Sequence, residues 1–169
     1  QTTSYRVFVN ADESGCEDLY SVAVDVTVTP DINITAQPVG GSICVGGNFN
    51  LSISATGSPS IHYQWQAHDG SDWFVVGDDS PAYNTGALTQ TTLYRVYLYS
   101  DVNGCEDVHS SEVEVIVEPD LLVVAEPTNV NECVGGTEQM TVTIIGGSGI
   151  ITYQWQSSTD GNEPWVNAT

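Results

Sequence analysis

The chain contains no lysine and only two arginines, Arg6 and Arg95. Against them stand 22 acidic residues, giving a formal net charge of -20 at pH 7. A surface with so few cations cannot displace counterions from nucleic-acid phosphates or settle on an anionic membrane, so both partner classes are excluded. Neutral, cationic or metal-bridged partners remain, and the acidity itself reads mainly as surface solvation. The missing lysine also excludes a Lys–Asn isopeptide staple. No apolar run approaches the roughly eighteen residues that cross a bilayer, and Gln1 opens no charged-then-apolar leader, so no membrane insertion is expected and the chain reads as a mature piece. Phosphate-cradling loops and nucleophile-with-base patterns are absent, which argues against an enzyme. No CxxC pair occurs, and His62, His68 and His109 have no counterparts where the sequence repeats, so neither zinc nor another bound cofactor is expected.

What the chain has is repetition. "QTTSYRVFVNADESGCED" from Gln1 lies over "QTTLYRVYLYSDVNGCED" from Gln90, 89 residues further on. The match continues through Cys16 over Cys105, Pro30 over Pro119, and Cys44-Val45-Gly46-Gly47 over Cys133-Val134-Gly135-Gly136. One inserted residue then brings the YQWQ of Tyr63–Gln66 over that of Tyr153–Gln156, and two more bring Trp73 over Trp165. A period near ninety residues is that of a domain array. It divides the chain into a C-terminal part of a repeat (1–30), a complete repeat (31–119) and an N-terminal part of the next (120–169). Neither part can bury its apolar face alone. Thr169 aligns with Gly77, so 120–169 followed by another copy's 1–30 lacks only the stretch equivalent to Asp78–Thr89. A longer chain or a head-to-tail association of identical subunits would complete both parts, and each implies a linear array.

Period-two alternation is plain in "SSEVEVIVEP", where Val113, Val115 and Val117 share one face and Glu112 and Glu114 the other. "VAVDVTVTP" repeats the pattern. Further strands are predicted at Ile32–Gln37, Phe49–Ala55, Ile61–Ala67, Trp73–Val76 and Tyr94–Tyr99, with Gly, Pro, Asn, Asp and Ser between them. Asp69-Gly70 and Asp160-Gly161 signal tight turns after each YQWQ. With no helical period anywhere, about seven short strands in some ninety residues predict an all-β, two-sheet sandwich.

Trp65 and Trp155 stand where an immunoglobulin domain keeps its buried strand-C tryptophan, and Tyr5 and Tyr94 follow "QTT" as the tyrosine corner opens strand F. Ile53 and Val96 take the places of the antibody core disulfide, so an apolar pair replaces it. Through "ICVGG", "YQWQ", "ALTQTTLYRV" and "NGCED" the whole chain resembles the tandem Ig-like and PKD-like repeats of very large secreted adhesins and surface proteins of Bacteroidota. That resemblance implies tandem immunoglobulin-like β-sandwiches, with 1–30 supplying strands F–G and 120–169 strands A–C′. It carries over no catalytic residue. Trp65, Trp155, Tyr5, Tyr94, Ile53 and Val96 are the expected structural core.

Four cysteines in two equivalent pairs suggest an oxidising compartment. In an immunoglobulin topology Cys44 and Cys105 lie at opposite ends of a sandwich, farther apart than a disulfide spans. Stacked end to end, however, Cys44 of one repeat would meet the F–G cysteine of the next, and Cys105 the strand-B-side cysteine of the preceding one. Cys16, Cys44, Cys105 and Cys133 are thus expected to form inter-repeat disulfides. An altered strand A joining Cys44 to Cys105, or free buried thiols, are the alternatives.

Arg6 and Arg95 share one register and are expected to pair with nearby carboxylates. Asn10–Gly15 resembles the front of a calcium loop without its closing Glu, and the aligned Tyr99–Gly104 does not keep the spacing. Weak calcium binding at acidic junctions is therefore a secondary expectation drawn from carboxylate density. Trp73 and Tyr83 are candidate ligand-facing aromatics, with hairpin support and cross-strand packing as the alternative. Asn33, Asn50 and Asn167 head N-x-S/T sequences, a weak pattern in a chain this rich in Asn and Thr. The expected function is a structural repeat segment of an extracellular filament, stalk or giant adhesin, secreted or at the cell surface. Its partners would be copies of itself or flanking repeats head to tail. The alternative is an adhesion module binding glycan or a host surface protein.

Overall fold

Alternation along the strand that holds the first YQWQ decides the architecture: in Ile61–His68, Tyr63, Trp65 and Ala67 turn to one side and His62, Gln64, Gln66 and His68 to the other. In the computed structural model, which describes residues 1–12 and 15–168, all the regular structure is strand. The first thirty residues form β1 (Thr3–Tyr5), β2 (Phe8–Val9), β3 (Leu19–Tyr20) and β4 (Val24–Val26). Then come β5 (Asn33–Ala36), β6 (Gly41–Cys44), β7 (Asn50–Ser52), β8 (Ser54–Thr56), β9 (Ile61–His68), β10 (Trp73–Val76) and β11 (Ala82–Asn84). The complete repeat closes with β12 (Thr92–Ser100), β13 (Val108–His109) and β14 (Val113–Glu118). Beyond it lie β15 (Leu122–Ala125), β16 (Thr143–Ile145), β17 (Gln156–Ser157) and β18 (Val166–Asn167).

Between residues 31 and 119 one sheet runs β10-β9-β12-β14-β6, with β13 also on β12. Its last pair, β14 with β6, is parallel, Val115 facing Gly41 and Glu118 facing Cys44. The opposite layer is β5 with β8 and β7 with β11. At the break between β7 and β8, Ile53 donates its N–H to the Pro81 carbonyl at 2.9 Å, which keeps the layer continuous past the interruption. Between the layers lie Leu51, Ile53, Trp65, Tyr94, Val96, Leu98 and Val115. This is the all-β immunoglobulin-like sandwich, and every buried apolar side chain among the described residues falls between Ile32 and Val115. Trp65 is fully covered and gives its indole N–H to the Ser80 carbonyl at 2.9 Å, so the buried polar atom is paired.

Three strands of the complete repeat escaped the sequence patterns, the two-residue β13 among them. β6 is "GSIC", glycine-led and too short to alternate, and it exists because the edge of β14 offers unpaired backbone groups. β11 is "AYN" behind a proline, held by its ladder to β7.

The flanking pieces carry the same ladders. β1 on β4 pairs Thr3 with Val26 and Tyr5 with Val24, while β12 on β14 pairs Thr92 with Val115 and Tyr94 with Val113. β2 on β3 pairs Phe8 with Tyr20, as Tyr97 pairs with His109. β15 on β16 pairs Leu122 with Ile145 and Ala125 with Thr143, reproducing Asn33 with Thr56 and Ala36 with Ser54 down to the same register shift. Each correspondence keeps the 89-residue offset of the sequence. What the flanking pieces lack is an opposing layer. Tyr5 is 57% exposed and Trp155 39%, against 2% for Tyr94 and 0% for Trp65. The expectation that Tyr5 and Trp155 are core residues is corrected on this point: a side chain is buried only where a second sheet covers it.

Candidate functional site

The outward side of the six-stranded sheet gathers the chain's polar aromatic chemistry. Ladder pairing sets His68 beside Leu93, Gln66 beside Arg95, Gln64 beside Tyr97 and His62 beside Tyr99. Trp73 is the β10 partner of His68, and their rings meet at 5.0 Å in an edge-on arrangement. The Arg95 guanidinium lies 4.1 Å above the Trp73 ring and donates from Nε to Gln66 Oε1 at 2.8 Å. Arg6, its counterpart, lies 4.2 Å over Tyr20. Among the described residues neither arginine forms the carboxylate ion pair expected from sequence; an aromatic ring holds each one instead, Trp73 of β10 under Arg95 and Tyr20 of β3 under Arg6.

Tyr97 and Tyr99, successive outward residues of β12, stack at 5.7 Å, and His109 lies 4.8 Å from Tyr97. The Tyr97 hydroxyl donates to Asp107 Oδ2, and that bond raises its pKa above the usual phenol value. Tyr83, a candidate ligand contact by sequence, points the other way. Its ring is half-buried, 6.0 Å from Trp65 and 5.9 Å from Tyr94, and burial raises its pKa. Gly77 explains the position, since any Cβ there would sit 2.5 Å from the tyrosine ring. Trp73 and Tyr83 therefore do not share a surface.

At one pole of the sandwich lies a cluster that no sequence motif announces. His62 Nδ1 donates to Asp79 Oδ2 at 2.5 Å, and Nε2 meets Asp101 Oδ2 at 2.9 Å. Ser60 Oγ stands 3.3 Å from Nε2 and donates to Asp101 at 3.2 Å, while the Tyr63 N–H holds Asp79 Oδ1 at 2.7 Å. The Tyr99 ring stacks on the imidazole at 5.0 Å. Hydrogen bonds to Asp79 and then Asp101 hold the His62 pKa above its ordinary 6.5, and the bond from His62 lowers both carboxylates below 3.8. Serine, histidine and aspartate here resemble a hydrolase triad in composition only. A general base needs a free Nε2, and here each ring nitrogen already lies within hydrogen-bond distance of a carboxylate. The three segments that meet are distant in sequence and no spacing links them.

The cysteines are free thiols, Cys16 and Cys133 exposed, Cys44 and Cys105 half-buried. Cys44 ends β6 opposite Glu118, at the pole where the chain leaves the complete repeat. Cys105 lies in the β12–β13 hairpin, at the pole where the chain arrives: Thr29 Oγ1 is 3.5 Å from its Sγ, and the Glu106 N–H reaches Asp31 Oδ1 at 3.2 Å. The ladder from Leu98–Val108 to Thr92–Val115 alone covers about 20 Å of strand, so these two cannot bond within one repeat. Of the calcium-like stretch Asn10–Gly15, Glu13 and Ser14 lie outside the described residues, as does Thr169 of the last N-x-S/T sequence. Among the described residues no group of His, Cys, Asp and Glu is arranged to hold a metal, and no helix is long and apolar enough to cross a membrane.

A family model described as "Domain of unknown function (DUF8696)" matches residues 34–119, just over half of the chain. No curated protein matches. Among solved structures, Sidekick-1 immunoglobulin domains 1–5 superpose with a TM-score of 0.50 at 14% identity, covering 85% of this chain and 33% of that one. Sidekick-1 immunoglobulin domains 1–4 give 0.50 at 15% identity, covering 85% and 41%. Drosophila OTK, extracellular domains 3–5, gives 0.49 at 16% identity, covering 85% and 48%. The chain thus spans less than half the length of these multidomain structures, and at such identity the likeness is one of fold.

Proposed function

We propose that this chain, which belongs to the DUF8696 family of domains of unknown function, is a structural segment of a linear head-to-tail array of Ig-like domains, in an extracellular filament, stalk or giant adhesin of the kind Bacteroidota secrete or display. Residues 31–119 are one complete module, 1–30 the F–G part of the module before it and 120–169 the A–C′ part of the module after. The observation that carries this reading is the identity of register between flanking and central ladders, pair for pair and including the shift in β15–β16. Each flanking piece is already set as half of the same sandwich. The open groove beside Trp155, lined by Val123, Val142, Ile144 and Tyr153, lies where the central module packs β12 against Trp65.

Polarity makes the array linear. The chain meets the complete module at the pole of the β12–β13 hairpin and leaves it at the other, beside Cys44. A pull between these poles runs along the parallel β6–β14 ladder, whose hydrogen bonds are then loaded together rather than one by one. Such a module serves as a folded spacer, with Pro30-Asp31 and Pro119-Asp120 setting the angle of its neighbour. Small-angle scattering tests this on a chain of residues 1–119 followed by 31–169, which carries the complete module twice. Its longest dimension should exceed that of the parent by at least about 30 Å, the length of β12. Growth of the radius alone, as for an enlarged globule, would contradict an array.

A second reading rests on the outward sheet face. Trp73 under Arg95, with Tyr97, Tyr99 and His109 alongside, presents flat rings edged by polar groups, a surface suited to a sugar ring or to a protein of a host surface. Selective micromolar binding on a glycan array, lost in Trp73→Ala and Tyr97→Ala, would favour it; uniform absence of binding leaves the spacer reading. Weak calcium binding at the acidic junctions accompanies either, and calorimetry at physiological salt reads it directly.

A further inference from the structure

The geometry assigns the four cysteines to disulfides that clamp successive modules, Cys44 of each module bonding the hairpin cysteine, equivalent to Cys105, of the module that follows. The assignment rests on the array reading above. It starts from Thr29, the sole residue among the described positions before Asp31 that is partly buried and not exposed. Its hydroxyl lies 3.5 Å from the Cys105 sulfur, so the last strand of one module touches the hairpin of the next at this point. Thr29 is equivalent to Glu118 under the 89-residue offset. Glu118, in turn, is the ladder partner of Cys44, and its carbonyl accepts the Val45 N–H at 3.1 Å. Adjacent strands lie about 4.8 Å apart, and paired residues of a ladder project to the same side. A cysteine resting on the residue at position 29 or 118 therefore rests beside the residue at position 44 of that same module.

The junction after the complete module is consistent with this placement. Ser148 donates to Ser42, two positions before Cys44 on β6, at 3.1 Å. Ser148 belongs to the loop that follows β16, and the corresponding loop of the complete module is tied to the cysteine hairpin through Ser58 and Ser100, 2.6 Å apart. The loop that neighbours the hairpin thus already sits against the strand that ends in Cys44. Required Cα separations of about 4.4 to 6.8 Å are within the reach of such neighbours, and they are far below the distance between Cys44 and Cys105 of one module.

Closing the clamp oxidises two thiols. With a low-molecular-weight disulfide as oxidant, each bond formed releases two molecules of the corresponding small thiol, which carry off both protons and both electrons. The clamp ties neighbouring modules beside the proline linker, where Thr29 meets Cys105, so that a pull along the array reaches the next module through two covalent paths.

The test uses the chain of residues 1–119 followed by 31–169, in which one cognate pair is present: Cys44 of the first complete module and Cys105 of the second. Three variants keep two cysteines each, with serine at the rest. One keeps that forward pair, one keeps Cys105 of the first module with Cys44 of the second, and one keeps Cys44 and Cys105 of a single module. After exposure to the small disulfide and its removal, the forward variant should lose both titratable thiols and regain them on reduction, while the other two keep theirs. In the chain with every cysteine present, one pair should be lost, against two pairs if bonding occurred within each module; this count stands even if a serine variant fails to fold. Thiols retained in the forward variant, or lost in the single-module variant, overturn the clamp. Scattering from the reduced forward variant separates the two ideas: an extended particle without the bond leaves the array and removes the clamp, and a compact particle removes the array itself.

Discussion

The letters YQWQ occur twice, and the two copies meet different fates. At Tyr63–Gln66 the tryptophan has no exposed surface and packs among Ile53, Val96 and Leu98. At Tyr153–Gln156 it is 39% exposed, in a piece whose strands pair only two by two. Local sequence is nearly the same, and so is the ladder register, Gln156 on Asn167 matching Gln66 on Val75 once insertions are allowed for. What differs is the opposing layer. Register is therefore a property of the local words, whereas burial, and with it stability, is a property of the completed module.

The sharpest way to break this comparison is to truncate both tryptophans. Trp65→Ala should cost about 3 to 5 kcal/mol and abolish or nearly abolish the cooperative urea transition, whereas Trp155→Ala should move it by less than about 0.5 kcal/mol. Equal losses would mean that the second copy has a core after all. Next come the glycines of the two equivalent loops. A Cβ on Gly57 would lie 1.9 Å from the Asp31 carbonyl oxygen, and one on Gly146 2.2 Å from that of Asp120, both at positive φ. Gly57→Ala should cost about 1 to 3 kcal/mol by denaturation, and Gly146→Ala should leave the transition in place. Smaller again is the loss of stacking: Arg95→Gln should cost about 0.5 to 1 kcal/mol, while Arg6→Gln, over the exposed Tyr20, should be silent.

The least effect is expected from pH. Thr152 stands where the complete module has His62, so His62→Thr makes the two copies alike. His62 has a raised pKa in the fold, so its contribution is complete below its ordinary 6.5 and fades as pH rises through the raised value. Asp79 and Asp101 are lowered, so theirs is complete above 3.8 and fades as pH falls through the lowered values. Stability of the parent should thus decline from mildly acidic to alkaline pH by more than that of His62→Thr, read from urea midpoints. Parallel profiles would show that the cluster does not couple to folding.

Much of the fold was legible because alternation and turn chemistry are local. Trp73–Val76 forms as predicted, and Asp69 closes the hairpin before it by accepting the N–H groups of Ser71 and Asp72, which lower its pKa. β6 and β11 were not legible, since each is recruited by an edge rather than declared by its own residues. The surface chemistry divides in the same way. Trp73 could be picked out with Tyr83 as a candidate ligand-facing aromatic, but its pairing with Arg95 depends on which strands adjoin. The His62 cluster joins residues from three segments, and only the sandwich brings them together. Tyr83 shows the converse: beside a glycine that leaves room for a ring, a tyrosine that reads as surface turns into the core.

Completion of the trailing half offers the most direct test. Thr169 aligns with Gly77, so a copy of Asp78–Pro119 appended after Thr169 supplies the strands that the second YQWQ lacks. Hydrogen exchange on dilute protein should show slow amides only within 32–118 of the parent chain, and should become slow at Tyr153–Ser157 once the copy is appended. Protection at Tyr153–Ser157 in the dilute parent, or its absence in the extended chain, would contradict the view that each half is built to be finished by its neighbour.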